Sequence, residues 1–183
     1  MRESIMKEIQ GIIPLDNREA KDRQDCLDWI ESGADLYRIK KPATPAKHLV
    51  SYFVLVDGDY ILLVDHINAQ LWLPTGGHVE PEEHPRTTAL REAEEELSIE
   101  AEFLQRKPLF ITSTVTVGKT AGHTDVSLWY VLKGQRDMKL KFDQTEFKTV
   151  KWFHKNNISF NRTDPELSRF LKKLYGYFNS YSD

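Results

Sequence analysis

Between Glu80 and Glu96 the chain holds seven glutamates against two arginines, Arg86 and Arg91. If the later part of this stretch is helical, each residue advances about 100°, so Glu92, Glu95 and Glu96 fall within an arc of about 100° while Glu94 points elsewhere. Like charges at these spacings repel by a few tenths of a kcal/mol per pair even in water. Two readings follow: a solvated acidic face, or a face whose missing partner is a divalent cation. A carboxylate set with no thiolate and no histidine four residues away suits a hard ion, Mg²⁺ or Mn²⁺. No D-x-D-x-D-G calcium loop is present. Because Mg²⁺ usually keeps several waters and is shared with substrate phosphates, phosphate is the natural ligand of such a site. Gly76-Gly77, just upstream, allow backbone to approach an ion or phosphate closely. Glu83 precedes Arg91 by eight residues, and an arginine pinned by one glutamate can orient the others.

The elements that would carry these groups are read from hydrophobic period. Ala89, Leu90, Ala93 and Leu97 form an apolar stripe on a helix starting near Pro85. Upstream, "HLVSYFVLVD" and "YILLVDH" are strands joined by a hairpin turn at Asp57-Gly58-Asp59, followed by a short strand "LWLP". Downstream, "AEFLQR", "LFITSTVTV", "TDVSLWYVLKG" and "FKTVKWFH" are further strand candidates, with "GKTAGHTD" a turn among them. The chain closes with an amphipathic helix carrying Leu167, Phe170, Leu171, Leu174 and Phe178, with Thr163 and Glu166 at capping-box spacing. Before the strands, "ESIMKEIQGII" places Ile5, Ile9, Ile12 and Ile13 on one helical face, and a second helix runs from about Arg18 to Ser32 with Gly33 capping it. "KKPATPAK" is read as a linker. The expected organisation is a helical extension over residues 1–45 and a domain over residues 46–183: α/β in class, a mixed sheet flanked by helices.

The whole chain narrows the function classes. With 183 residues, 40% apolar and 29% charged, it has the composition of a globular protein. A net charge of -3 offers no bulk attraction to nucleic acid or to anionic lipid, so neither is expected as a partner. Cys26 is the only cysteine, which excludes an intramolecular disulfide and any thiolate metal cluster within one chain. The N-terminus lacks a continuous apolar segment and the longest apolar runs are far too short for a bilayer, so a cytoplasmic protein is expected. Cys26 is read as a packing residue.

The spacing G-x5-E-x7-R-E-U-x-E-E-x-G-U, with U aliphatic, is the signature of the Nudix hydrolases, the MutT-like family. This sequence resembles it through Gly77, Glu83, Arg91, Glu92, Ala93, Glu95, Glu96 and Ile99. One position departs: Ser98 stands where the family has its second glycine, a turn where a left-handed backbone costs other residues on the order of 1 kcal/mol. "LWLPTGGHVEPEE" and "GHTDVSLWYVL" also look like bacterial MutT-type proteins.

The resemblance implies an α/β/α sandwich and a Mg²⁺-dependent hydrolase that cleaves nucleoside diphosphates linked to another group. It implies that Glu92, Glu95, Glu96 and the Gly76 carbonyl ligate the metal, and that Glu83 and Arg91 orient them. The family varies in its general base; Glu146 sits where a base-bearing loop would be, with Asp143 the alternative. His78, His123 and Asp125 are substrate candidates, and Trp72, Trp129, Trp152 and Tyr130 are either a base-stacking surface or core. For the N-terminal helices three roles stay open: a cap over the cleft, a contact in a homodimer, or an extension of the core. A second function class, a fold that binds a nucleotide or metabolite as a sensor without turnover, is weakened by the intact set of glutamates.

Overall fold

The computed structural model describes residues 1–40, 45–116 and 122–179. The middle of "KKPATPAK" and the first half of the "GKTAGHTD" turn lie outside them. The chain order is α1 (Arg2–Gln10), α2 (Asn17–Glu31), β1 (Lys47–Asp57), β2 (Tyr60–His66), β3 (Leu71–Leu73), β4 (Thr75–His78), α3 (Pro85–Leu97), β5 (Phe103–Val115), β6 (Thr124–Lys133), β7 (Phe147–His154) and α4 (Leu167–Asn179). "AEFLQR" and "LFITSTVTV" are one strand, not two: β5 pairs β6 throughout, with register breaks between Phe103 and Phe110 that absorb the apparent interruption.

The seven strands form one mixed sheet. β1 runs parallel to β6 and antiparallel to its other partners. On its far edge β1 pairs β4 early, through Val50 to Phe53, and β2 late, through Val56 and Asp57. β2 in turn pairs β3 through Val64 to His66, so the β3–β4 segment fills the fork where β1 and β2 diverge. That wedge delivers Gly76, Gly77 and His78 into the middle of the sheet.

Alternation along β1 sorts the two layers. Leu49, Phe53 and Leu55 pack with Ile5, Ile9 and Ile12 of the α1 segment, Cys26 and Ile30 of α2, and Ala89, Ala93 and Leu97 of α3. Val54 and Val56 face the other way, with Trp129 and Val131 of β6, against Leu167, Phe170, Leu171 and Leu174 of α4. Helices therefore cover both faces, the α/β/α arrangement. Ile13 breaks the expected stripe: α1 ends at Gln10, and beyond it only Ile12 turns inward while Ile13 is 80% exposed.

The N-terminal and C-terminal helices are tied by charge. Arg18 pairs Glu166, Arg169 pairs both Asp16 and Glu166, and the fully buried Glu19 pairs Lys173 while accepting from the Leu15 and Ile111 amides. Removing one partner from such a buried set leaves an uncompensated charge, which is costly. Thr163 and Glu166 do not form a capping box. With Pro165 as the residue pre-set for a first helical turn, Asp164 takes the cap by accepting from the Glu166 amide at 2.7 Å, and the Glu166 carboxylate is spent on the two arginines.

Candidate active site

α3 begins at His84, whose side chain accepts from the Arg86 amide, and is docked on β1 by the Ser51 hydroxyl donating to the Pro85 carbonyl at 2.7 Å. Its apolar stripe sits on the sheet, which turns Glu92 and Glu96 toward β4. Here the glycine pair has a steric purpose. Gly76, at φ +145°, lies so close to β1 that an added Cβ would stand 2.0 Å from the Ser51 carbonyl oxygen. A Cβ on Gly77 would stand 1.9 Å from Glu92 Oε1, so the carboxylate is packed directly over the bare backbone. α3 ends at Ser98 in a left-handed conformation, φ 54° and ψ 45°. The turn that the family makes with glycine is kept here with serine, at its conformational cost.

Arg91 is the hub of the acidic cluster. Its Nε donates to Glu83 Oε1 at 3.0 Å and its second terminal nitrogen to Glu83 Oε2 at 3.2 Å and to the His78 carbonyl at 3.3 Å. The remaining nitrogen donates to Glu92 Oε1 and Glu95 Oε2, both at 2.8 Å. Burial pushes the Glu83 carboxyl up, but hydrogen bonds from Arg91, Thr88 and the Glu80 amide outweigh it and leave the group below its ordinary value. Those same carboxylates hold the guanidinium proton more tightly, Glu83 first.

Among the described residues Glu96 has no such partner. Its Oε2 accepts the Gly76 amide, at 3.3 Å, while burial first and then the charges of Glu92 and Glu146 drive its pKa up to about 9. Glu92 is raised as well, by burial ahead of the opposing pull of Arg91. The cluster is thus short of positive charge at its inner end. An all-oxygen donor set around buried, repelling carboxylates fits a hard divalent cation, and Glu92 and Glu96 both line the cleft.

The cleft measures about 470 Å³ and is lined by Gly76, His78, Arg91, Glu92, Glu96, Asp125 and Glu146 among the expected residues. Glu83 and Glu95 stand behind Arg91 rather than in the lining, and His123 touches the wall through Asp125 at 3.3 Å. Asp143 is not in the lining; its carboxylate accepts the Thr145 amide and hydroxyl, both at 2.7 Å. Trp129 and Tyr130 are fully buried, and Trp72 and Trp152 pack against the two cores. Tyr52 supplies the aromatic lining instead, while Phe147 borders the cleft from within the core. A larger hollow of about 800 Å³, near Lys133, Met138 and Tyr175, contains none of the signature glutamates.

Sequence reasoning missed Arg38, Tyr52, His48 and His66. Arg38 comes from the segment before the sheet and lines the cleft with Tyr52 and His66. His48 is fully buried, 3.0 Å from Asp125. The signal for His48 and Tyr52 was period two along β1, where His48, Val50 and Tyr52 share a face with the cleft. Arg38 had no local signal. Cys26 is buried and its thiol is pushed up to about 12, which keeps it unreactive.

Fold and site together define a class: an α/β/α hydrolase scaffold presenting a glutamate helix to a glycine-lined cleft. The NUDIX domain family matches residues 47–174, and the chain belongs to it: this is a Nudix hydrolase, of a family that acts on nucleoside diphosphate derivatives. Among solved structures, a MutT NUDIX hydrolase from Burkholderia pseudomallei is similar at 18% identity and TM-score 0.56, covering 69% of this chain and 97% of that one. A NUDIX hydrolase from Nitrosomonas europaea is similar at 21% identity and TM-score 0.56, covering 70% and 88%. A C. elegans Ap4A hydrolase is similar at 20% identity and TM-score 0.55, covering 73% and 96%. These likenesses show the shared fold. No curated protein sequence matches the chain. Among the described residues no helix is long and apolar enough to cross a membrane.

Proposed function

We propose that this protein hydrolyses a diphosphate linkage in a nucleoside diphosphate derivative, a nucleoside triphosphate or a nucleotide sugar among them, with Mg²⁺ as cofactor and Mn²⁺ as its substitute. The observation that carries the reading is Glu96: a carboxyl whose proton is held up to about 9 by burial and by Glu92 and Glu146, in a cleft lined by those same acids. Glu92, Glu95, Glu96 and the Gly76 carbonyl would hold the ion. When bound, it neutralises the diphosphate and makes a bound water more acidic.

The chain's own residues do the rest. Arg91 has its donors committed to Glu83, Glu92, Glu95 and the His78 carbonyl, so it orients carboxylates rather than gripping substrate. Arg38 is the cation in the cleft wall placed to meet a phosphate oxygen. Tyr52 offers ring surface to a base. Glu146, set across the cleft at the start of β7, is placed to take the proton of the attacking water.

The test is a panel of nucleoside triphosphates, dinucleoside polyphosphates, ADP-ribose, nucleotide sugars and coenzyme A, with Mg²⁺ and with excess chelator, scoring phosphate-bearing products. Turnover of at least one class that stops with chelator is the expected result. Tight binding without turnover anywhere in the panel overturns the hydrolase reading and leaves a sensor.

A further inference from the structure

Behind His78 and Asp125 at one end of the cleft wall stand two further imidazoles, His48 and His123, and the glutamate site uses none of the four. His48 opens β1, His78 ends β4, and His123 and Asp125 flank the start of β6. The register places them together: His48 pairs Asp125 across β1 and β6, and His78 pairs Val50, two residues from His48 on the same face of β1. One nitrogen from each ring and one Asp125 oxygen lie within 4.8 Å of one another. The His48 ring centroid is 4.9 Å from that of His78 and 5.0 Å from that of His123.

The proton inventory of this group does not close by itself. Nδ1 of His48 lies 3.0 Å from the Pro45 carbonyl, which can only accept, so Nδ1 carries the proton and Nε2 of the neutral ring presents a lone pair. That lone pair faces Asp125 Oδ1 at 3.0 Å, and neither atom has a hydrogen bond of good geometry among the described residues. His123 approaches the same oxygen. Its Nδ1 lies 3.1 Å from the Thr116 hydroxyl, which donates to the His123 carbonyl, and its Nε2 lies 3.3 Å from the same Oδ1. Nε2 of His78 is buried with no hydrogen-bond partner among the described residues. A single added proton can satisfy one nitrogen against Asp125, and further protons would place imidazolium beside imidazolium in a buried wall. One cation shared by all four atoms satisfies the set.

We propose that His48, His78, His123 and Asp125 form a second metal site, taking one divalent transition ion of the zinc type, separate from the glutamates of α3. The donor set is imidazole plus carboxylate, which suits Zn²⁺ and its neighbours better than Mg²⁺. Bond lengths of about 2.0 Å in a tetrahedron give ligand separations of about 3.3 Å. The His48–Asp125 and His123–Asp125 separations of 3.0 and 3.3 Å already match, and the wider ones close by side-chain rotation. The Pro45 carbonyl on His48 and the Thr116 hydroxyl on His123 are the outer partners that orient ligating rings. Arg38 opposes a cation at this end of the cleft, and the Asp125 charge offsets it.

Four protein ligands fill a tetrahedral ion, so this site is closed and does not supply the attacking water. Its consequence is mechanical: it would fasten β4 to β1 and β6 one residue beyond Gly77, fixing the backbone over which Glu92 is packed.

The full chain, stripped with chelator and shown to be folded by circular dichroism, is titrated with Zn²⁺ in excess Mg²⁺, against a chromophoric competitor. One equivalent of zinc retained is the expected result, with affinity unchanged in Glu96→Gln. Asp125→Asn and His123→Ala should each weaken zinc by more than the roughly 10–100-fold that loss of an outer partner costs. Co²⁺ in place of Zn²⁺ should give the intense visible absorption of four-coordinate cobalt, a readout on the parent protein that needs no variant. No zinc retained in excess Mg²⁺, a pale six-coordinate cobalt spectrum, or zinc lost in Glu96→Gln but kept in His123→Ala would each overturn the proposal. None of these readouts depends on hydrolase activity, so it can fail while the proposed function stands.

Discussion

Glu92 and Glu96 reach the cleft from little more than one turn of a single helix, with Glu95 behind Arg91, whereas His78 and Asp125 reach its other end, with His48 buried behind them, from three strands. The helix fixes the relative positions of its carboxylates through local geometry, and the single arginine beside them holds three of the four acids near it. The imidazole end has no such local device. Its positions follow from sheet register alone, His48 opposite Asp125 and His78 opposite Val50. The two ends also differ in chemistry: hard oxygen donors with a deficit of positive charge on one side, nitrogen donors with a deficit of protons on the other. A site can therefore be dense in one segment or dispersed over the fold, and still present a comparable demand for a cation.

Five changes test that comparison. The double variant Glu95→Gln/Glu96→Gln should lower turnover by about two orders of magnitude or more, on the scale of metal-assisted and acid–base catalysis, while zinc retention at the imidazoles persists. Undiminished turnover would remove the metal-ligand assignment. Glu146→Gln should slow the chemical step by roughly 10²-fold with Mg²⁺ affinity nearly unchanged. A single-turnover rate equal to the parent's would exclude Glu146 as base.

The adjacent glycines separate site from scaffold. Gly77→Ala should displace the flexible end of Glu92 and reduce turnover with little change in melting temperature. Gly76→Ala meets the Ser51 backbone and a positive φ, so it should destabilise the fold by more than about 1 kcal/mol. Equal melting losses in both would show that Glu92 cannot yield. The smallest effect is expected from Ser98→Gly, which relieves the left-handed turn ending α3: stability should rise by less than about 1 kcal/mol, with turnover and zinc binding both unchanged. A lower melting temperature would mean that Ser98 contributes something beyond its backbone angle.

Much of the carboxylate end was legible in the sequence because its determinants are local. The apolar stripe Ala89, Ala93 and Leu97 fixes which way α3 faces, and that alone sends Glu92 and Glu96 the other way. The same period-two logic gave the strands, although a bulged β5 was read as two and the α4 cap was placed one residue early, where Pro165 shifts it to Asp164. Of the two readings of the aromatics, Trp72, Trp129, Trp152 and Tyr130 take the core one, while size and apolarity alone do not distinguish Trp129, buried under α4, from Tyr52, which opens on the cleft.

What the sequence by itself determined is a helix of acids after a glycine pair, the family it belongs to, and the hard cation such oxygens favour. Only the tertiary structure decided which acid Arg91 leaves unpaired, that Arg38 reaches the cleft from outside the matched family segment, and that three distant histidines converge on one aspartate. Spacing along a helix is a property of the chain, but register between β1, β4 and β6 exists only once the sheet has formed.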